Sequence, residues 1–326
     1  MKHIVVIHAG AIGDLVQALA ALEAVRTTWP QVRITLVGRP ERAALAHLAG
    51  VVDDCADAET CGLWRVAAGT GPGGPAPSLF AEADLVIDFL TKGALARGLA
   101  TAPRAAGHVP QVVSADPLPP AEWHESAAAW VGRQVTAALS VGAVPAAPRI
   151  PLSDAAMEAA RALAAARGLG EGFVAIHPGS GSAKKNWPPE RFEAMAQRVR
   201  QEARRPVVWF AGPAEAERHT LPDGAAADVV LADLALDQVA GVLALAAAYL
   251  GNDSGITQVA AAVRRPDGGA TPTVVLFGPT DARVWAPRGR HVRIVASPDG
   301  TMDAVAVDAV WAALRQALAL PRRDPA

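Results

Sequence analysis

The sequence is poor in lysine and cysteine, and its positive and negative charges nearly balance. Only four of its 326 residues are lysine, so arginine supplies most of the 30 basic side chains. Cys55 and Cys61 are the two cysteines, too few for a disulfide framework or a cysteine-rich metal site, which favours reduced thiols in a cytoplasmic protein. A net charge of -2 is unlike the broad basic surface of a nucleic-acid-binding protein, so we expect no nucleic-acid partner.

Long hydrophobic runs are also missing. The longest apolar stretches, such as Leu243 to Leu250, are far shorter than the about 20 residues that a membrane-spanning helix needs. A GAIG turn and Asp14 interrupt the first 22 residues, so we expect no secretory signal peptide there. The chain is nevertheless 51% hydrophobic, which is enough to bury substantial cores.

Short β-branched apolar segments alternate with helical patterns along the chain. This rhythm is typical of a parallel sheet with helices on both faces, and so predicts an α/β protein. Prolines concentrated between Val141 and Ser153 interrupt the alternation of strand and helix patterns, which resumes after them. We therefore predict two Rossmann-like domains, 1–148 and 149–326, that face a central cleft and bind ligands beyond the carboxyl ends of their strands. The last helix is expected to reach back to the first domain.

The turn after the first predicted strand carries the first candidate site residues. In HAGAIGD, Gly10 and Gly13 let the backbone turn tightly and approach a ligand, and Asp14 begins a helix. An acid at a helix start is also favoured by the helix dipole alone, so this motif is weak when taken by itself.

A second turn, IHPGSGSAKKNW, contains two of the four lysines, Lys184 and Lys185. Ser180, Gly181 and Ser182 offer backbone amides and hydroxyls immediately before them, and a helix follows. Unpaired amides and a helix start favour an anion. The spacing matches neither a Walker A loop nor GxGxxG, and a solvated basic turn is an open alternative.

Two further loops follow predicted strands in the second half of the chain. FAGPAEAER supplies Glu215 and Glu217, which would suit ribose hydroxyls or simply lie exposed in a first helical turn. GNDSGITQ supplies Asp253, Ser254 and Gly255, which either cap a helix or line a diphosphate site at its start.

Together the four loops resemble glycosyltransferase family nine, the ADP-heptose:lipopolysaccharide heptosyltransferase family. The matching segments are GAIGD, HPGSGSAKKNWPPERF, FAGPAEAE, and YLGNDSGITQVAAA followed by PTVVLFGPTDARVWAP, in the family's order and at roughly its spacing. A weaker acceptor-side segment, DLVIDFLTKG, contains Lys92. The resemblance covers nearly the whole chain and implies the GT-B fold, in which two Rossmann-like domains face a central cleft.

The resemblance implies an inverting transferase whose C-terminal domain holds an ADP-sugar and whose N-terminal domain holds the acceptor. Asp14 would be the general base, and Lys185 would contact the diphosphate and stabilise it as it leaves. Lys184 would be a supporting surface charge. The implied donor-binding residues are Ser180, Gly181, Ser182, Lys185, Glu215, Glu217, Asp253, Ser254, Gly255 and Gln258. The implied acceptor or cleft residues are His8, Gly10, Gly13 and Lys92.

Four features depart from the family pattern, and one of them is that Leu19 and Ala20 stand where the first helix of the family often has Thr-Pro. The other three concern His8, Gln258 and one loop. His8 stands where the family usually has arginine or lysine, and a neutral imidazole is a weaker anion partner. Gln258 stands where the family commonly has histidine, and the segment from Arg264 to Ala270 extends a loop that is usually short. The departures at His8 and Gln258 bear on the identity of the donor sugar more than on the fold or reaction type.

We therefore predict transfer of heptose from ADP-heptose to a hydroxyl of a lipopolysaccharide-core or related glycan. We expect no required cofactor and no metal site, with ADP-sugar as substrate and magnesium dependence left open. One alternative is a GT-B transferase with another nucleotide-sugar donor or a non-lipid acceptor. The other is a nucleotide-sugar binding protein without catalysis. We expect a cytoplasmic enzyme with at most peripheral contact to the inner face of the cytoplasmic membrane, where it would meet a glycolipid acceptor.

Overall fold

The chain folds into two compact units, Met1–Pro148 and Arg149–Ala326. The computed structural model describes residues 1–69, 78–101, 110–212, 221 and 228–320. Each unit has its own parallel sheet. The predicted α/β class with parallel sheets is therefore confirmed.

The first unit contains a five-stranded parallel sheet in the order β3-β2-β1-β4-β5. Its strands are β1 (His3–His8), β2 (Arg33–Gly38), β3 (Asp54–Asp57), β4 (Leu85–Asp88) and β5 (Gln111–Ser114). Its helices are α1 (Ile12–Thr28), α2 (Pro40–Leu48), α3 (Leu63–Ala67), α4 (Ser78–Ala81), α5 (Ala94–Thr101) and α6 (Ala127–Leu139).

Strand β1 lies at the centre of this sheet because its apolar residues can be buried on both faces. Residues Ile4 to Ile7 have no exposed surface. On one side His8 pairs with Gly38 of β2, and on the other Ile7 pairs with Asp88 of β4. The loops that follow β1, β2 and β4 therefore begin side by side at the carboxyl edge of the sheet.

The second unit contains a six-stranded parallel sheet in the order β13-β12-β10-β7-β8-β9. Its strands are β7 (Val174–His177), β8 (Val207–Ala211), β9 (Val229–Ala232), β10 (Ala248–Asn252), β12 (Thr273–Phe277) and β13 (Val292–Ala296), and a separate short pair joins β6 (Ile150–Pro151) to β11 (Val263–Arg264). Its helices are α7 (Asp154–Ala165), α8 (Pro189–Arg198), α9 (Leu236–Leu245), α10 (Gly255–Ala262), α11 (Ala282–Trp285) and α12 (Val307–Leu318), with a π-helical turn (Val199–Ala203) after α8.

Large buried side chains fix the helix that follows β7. Trp187 is fully buried, its ring packs edge-on against Phe192 with centroids 5.1 Å apart, and its Nε1 donates to the Val305 carbonyl over 3.0 Å. Helix α12 packs on α8 and on strands β10, β12 and β13 of the same unit. Its predicted contact with the first domain stays a prediction.

The extended loop from Arg264 to Ala270 is ordered by its own backbone. Arg264 and Ala270 form an antiparallel bridge, and the Arg265 amide donates to the Gly269 carbonyl over 2.8 Å. Arg264 also pairs with Pro151 through the β6–β11 pair. The loop is thus tied to the segment that begins the second unit. Among the described residues, no helix is both long and apolar enough to cross a bilayer.

Candidate active site

The turn between β1 and α1 brings four predicted site residues together. Asp14 lies half-buried in the first turn of α1, and Gly13 lies inside the same helix. A Cβ atom on Gly10 would lie 3.3 Å from Cε1 of His8 and 3.4 Å from Oδ2 of Asp14. The imidazole and the carboxylate therefore converge on the same face of Gly10, and glycine leaves the space between them open.

Arg42 also contacts this turn, although its sequence position gives no sign of it. Its guanidinium donates to the Gly10 carbonyl and, over 3.3 Å, to the Ala9 carbonyl. Burial and repulsion from Arg39 lower the pKa of Arg42, while attraction to Asp14 acts in the opposite direction. Arg42 lies at the start of α2, so only the pairing of β1 with β2 brings it here.

His8 ends β1 and is almost completely buried. Only 3% of its surface is exposed, and neither ring nitrogen has a hydrogen-bond partner among the residues that the structure describes. Burial, together with a smaller effect of the positive charge on Arg42, lowers the pKa of His8 to about 4. The imidazole is therefore neutral at neutral pH, and its ring lies edge-on to Phe89.

The loop after β4 adds Lys92 to the same edge of the sheet. Buried Asp88 shapes this loop, because its carboxylate accepts hydrogen bonds from the amides of Leu90 and Thr91 over 2.9 and 2.8 Å. Lys92 follows with a φ of 49° and is exposed. Since β4 pairs with β1, its ammonium group is carried on the loop adjacent to the one that holds Asp14.

In the second unit, the loop after β7 folds around Ser180. The Ser180 hydroxyl is buried and lies 2.6 Å from Oδ1 of Asn186 and 2.7 Å from the Ser182 carbonyl. Gly181 is exposed, and the position that a Cβ would take there faces open space. The Ser180 hydroxyl, which was predicted to bind the donor, therefore makes hydrogen bonds within its own loop in this structure. The backbone around Gly181 remains accessible.

Lys185 and Asp253 form an ion pair at the carboxyl edge of the second sheet. Nζ of Lys185 lies 3.0 Å from Oδ2 of Asp253, and the Thr280 hydroxyl donates to the same oxygen over 2.8 Å. The two charged side chains are 25% and 11% exposed. Lys184, its neighbour, is exposed. The two lysines thus have different environments, and only Lys185 is partly desolvated beside a carboxylate.

Asn252 ties down the loop that carries Lys185. It is fully buried; its Oδ1 accepts from the Trp187 amide over 3.1 Å, and its Nδ2 donates to the Pro178 carbonyl over 2.6 Å. One side chain at the end of β10 therefore fixes both ends of the loop that carries Lys185.

The start of α10 lies beside the ion pair. Ser254 caps the helix by accepting from the Thr257 amide over 3.3 Å, and its hydroxyl lies 3.5 Å from Nδ1 of His177. Gly255 is the first helical residue, and Gln258 donates from Nε2 to the Trp285 carbonyl over 2.7 Å. His177 was not among the predicted site residues, although it is the first residue of the HPGSGS motif.

Two predicted donor residues, Glu215 and Glu217, lie outside the described residues, so their ribose role stays a prediction. Within the described ranges, no group of three or more histidine, cysteine, aspartate or glutamate side chains is arranged to hold a metal ion.

The two Rossmann-like units together have the GT-B fold found in glycosyltransferases. The sequence model of glycosyltransferase family 9 (heptosyltransferase) matches residues 122–308, more than half of the chain. The chain therefore belongs to glycosyltransferase family 9, as its motifs predicted. A search of curated protein sequences gives no match.

Solved structures of the family share this fold along nearly the whole chain. The glycosyl transferase family 9 protein from Veillonella parvula DSM 2008 is 18% identical, with a TM-score of 0.73 and 97% coverage of both chains. The E. coli ADP-heptose lps heptosyltransferase II is 16% identical, with a TM-score of 0.73 and 98% coverage of both chains. The E. coli heptosyltransferase WaaC with ADP is 19% identical, with a TM-score of 0.68, and the match covers 97% of this chain and 100% of that one.

Proposed function

We propose that this protein is an inverting heptosyltransferase that moves heptose from ADP-heptose to a hydroxyl of a lipopolysaccharide-core or related glycan. The observation that carries the proposal is the partly buried Lys185 at the carboxyl edge of the second sheet, beside the start of α10. Structures similar to this one include E. coli heptosyltransferase WaaC with ADP and with ADP-2-deoxy-2-fluoro heptose.

The donor diphosphate would bind between Lys185 and the two loop backbones. Amides around Gly181 and the start of α10 at Gly255 are the groups that favour phosphate oxygens. Lys185 is already held by Asp253, so its ammonium is fixed in place before a donor arrives. A fixed cation stabilises the negative charge that develops on the leaving diphosphate without reorganising at the moment of reaction.

The acceptor would bind at Asp14 in the first unit. The Asp14 carboxylate takes the proton of the acceptor hydroxyl as its oxygen attacks the anomeric carbon of the donor sugar. The bond between that carbon and the phosphate oxygen breaks, and ADP leaves with the bonding electrons. Attack opposite to the leaving group inverts the anomeric configuration.

Lys185 supplies the positive charge that a bound metal supplies in other transferases, so we propose that the enzyme needs no cofactor beyond its ADP-sugar substrate. A glycolipid acceptor would bring the protein to the inner face of the cytoplasmic membrane by peripheral contact alone.

Gln258 supports a second candidate, a GT-B transferase with another nucleotide-sugar donor. Its Nε2 donates to the Trp285 carbonyl over 2.7 Å, so the side chain is held beside the start of α10 as a neutral amide. A different pattern of sugar hydroxyls would suit such a neutral group equally well.

Donor identity is tested by calorimetric titration of the protein with ADP-heptose, ADP-glucose, UDP-glucose and ADP. The heptosyltransferase proposal predicts that ADP-heptose binds at least about tenfold more tightly than ADP-glucose, since a heptose site makes sugar contacts that glucose cannot reproduce. Tighter binding of a UDP-sugar would sink the ADP-heptose proposal and favour the second candidate. Nuclear magnetic resonance of the product with the preferred donor then gives the anomeric configuration.

A further inference from the structure

His8 is a buried polar side chain whose ring nitrogens make no hydrogen bond to any described residue. A neutral imidazole has one donor nitrogen and one acceptor nitrogen. Both nitrogens of His8 are buried and lack a hydrogen-bond partner among the described residues. Buried polar groups without partners destabilise a folded protein, so such groups are rare and call for an explanation.

The position of the ring supplies that explanation. Nε2 of His8 lies 3.6 Å from the place that a Cβ on Gly10 would occupy, and Oδ2 of Asp14 lies 3.4 Å from the same place. The imidazole and the proposed base are therefore neighbours across one glycine. A Cβ there would fill the space between them, so the glycine keeps that space available to a ligand.

The surroundings of the ring keep it uncharged. The ring of His8 lies edge-on to Phe89 after β4, and the His8 backbone carbonyl oxygen would lie 2.4 Å from a Cβ added at Gly38 of β2. Burial lowers the pKa of His8 to about 4, and the positive charge of Arg42 on α2 acts in the same direction to a smaller extent. Asp14 on α1 is the negative group that faces the same glycine. The ring therefore enters any contact as a neutral donor and acceptor.

We propose that His8 binds the acceptor directly, through a hydrogen bond between its neutral imidazole and an uncharged sugar hydroxyl next to the hydroxyl that Asp14 deprotonates. This rests on the proposed function and adds an acceptor class to it. The acceptor residue carries a free hydroxyl, and no phosphate or carboxylate, at the position that contacts His8. Because both nitrogens are buried, the turn at Gly10 moves slightly when the acceptor binds.

Replacing His8 by leucine separates this role from a purely structural one. Leucine fills a similar volume without unpaired polar atoms, so His8→Leu should raise the melting temperature by at least about 2 °C. The same variant should raise the KM for a deacylated, truncated lipopolysaccharide core oligosaccharide by about tenfold, which is the cost of one lost hydrogen bond. Its dissociation constant for ADP should stay within twofold of the wild type. His8→Gln should recover part of the acceptor KM.

His291 is the matched control. It is also a buried histidine, but its Nε2 contacts the Ala261 carbonyl over 2.9 Å in the second unit. His291→Leu should therefore lower the melting temperature while leaving the acceptor KM unchanged. An acceptor kcat/KM for His8→Leu within twofold of the wild type would overturn the proposal. So would a wild-type preference for an acceptor phosphorylated beside the reacting hydroxyl over its dephosphorylated form.

Titration of ¹⁵N-histidine-labelled protein with the same core oligosaccharide, without donor, provides a readout independent of turnover. The His8 imidazole signals, assigned by their loss in His8→Gln, should shift on binding, and unchanged signals would contradict the proposal. If wild-type protein shows no transfer from ADP-heptose, the proposed function fails, while this titration still decides whether His8 contacts a sugar acceptor.

Discussion

Replacing Lys185 by methionine should weaken ADP binding by roughly 10- to 100-fold, whereas the same change at Lys184 should alter it less than about twofold. Lys185 is partly buried, with its Nζ 3.0 Å from Asp253, and Lys184 is exposed. A hydrogen bond to a charged group contributes about 1.5–3 kcal/mol, and each 1.4 kcal/mol is a factor of ten in affinity. An exposed lysine contributes little because solvent and salt screen its charge.

Asp253 allows a second test of the role of Lys185, because the two side chains form an ion pair. In Lys185→Met, the Asp253 carboxylate keeps the hydrogen bond from the Thr280 hydroxyl but loses its cationic partner, and it lies where the diphosphate would bind. Its negative charge then repels the ligand. Replacing Asp253 by asparagine in the same chain removes that repulsion, so the double variant should bind ADP about fivefold more tightly than Lys185→Met alone. Such non-additivity is expected only for residues that interact.

Isothermal titration of ADP at low salt and at high salt measures these effects. The loss caused by Lys185→Met should persist at high salt, because the site is partly desolvated. Equal losses for Lys184→Met and Lys185→Met, or purely additive effects of the Lys185 and Asp253 changes, would refute the diphosphate role given to Lys185.

Three further predictions concern the site and its support. Between pH 7 and pH 5, the unfolding free energy of the wild type should fall by about 2 kcal/mol more than that of His8→Leu. The reason is that the imidazole of the unfolded chain binds a proton below pH 6.5, whereas the pKa of His8 in the folded protein is about 4. Urea unfolding at both pH values measures the difference, and equal losses in the two proteins would contradict it. Gly251→Ala should destabilise the protein by about 2–3 kcal/mol, because its Cβ would lie 2.4 Å from the Tyr249 hydroxyl, whereas Gly181→Ala enters open space and should leave the thermal unfolding transition unchanged. Arg42→Gln should lower kcat about tenfold without changing ADP affinity, because the guanidinium holds the turn that carries Asp14; steady-state kinetics with an unchanged kcat would argue against that support.

The sequence predicts the central strands well because their environment is uniform. Strands β1, β7 and β12 are buried on both faces, so their β-branched residues stand out from the helices around them. The four edge strands of the two large sheets, β3, β5, β9 and β13, are only partly buried, and β3 reads DCAD with two exposed residues. Such strands are specified by pairing to a neighbour more than by their own composition.

Some residues of the candidate site can also be predicted from the sequence, and others cannot. Residues that share one turn, such as Ser180 with Lys185 or Asp253 with Ser254, are predictable because their motif is local. Arg42 and Thr280 are not, because Arg42 arrives from the start of α2 and Thr280 from the loop after β12, through the register of neighbouring strands. The unpaired state of His8 is likewise a property of the folded surroundings, although its position at the end of β1 could be read from the sequence.

The most direct test of the account is ADP release from ADP-heptose in the presence of a truncated lipopolysaccharide acceptor, compared between wild type, Asp14→Asn and Asp154→Asn. Asp154 also begins a helix but lies in the first turn of α7, so it controls for loss of a helix-start charge. The account predicts acceptor-dependent release by wild type and Asp154→Asn, and a roughly 100- to 10,000-fold lower rate in Asp14→Asn with unchanged ADP binding. Release at the wild-type rate in Asp14→Asn would contradict the assignment of Asp14 as the base that drives the transfer.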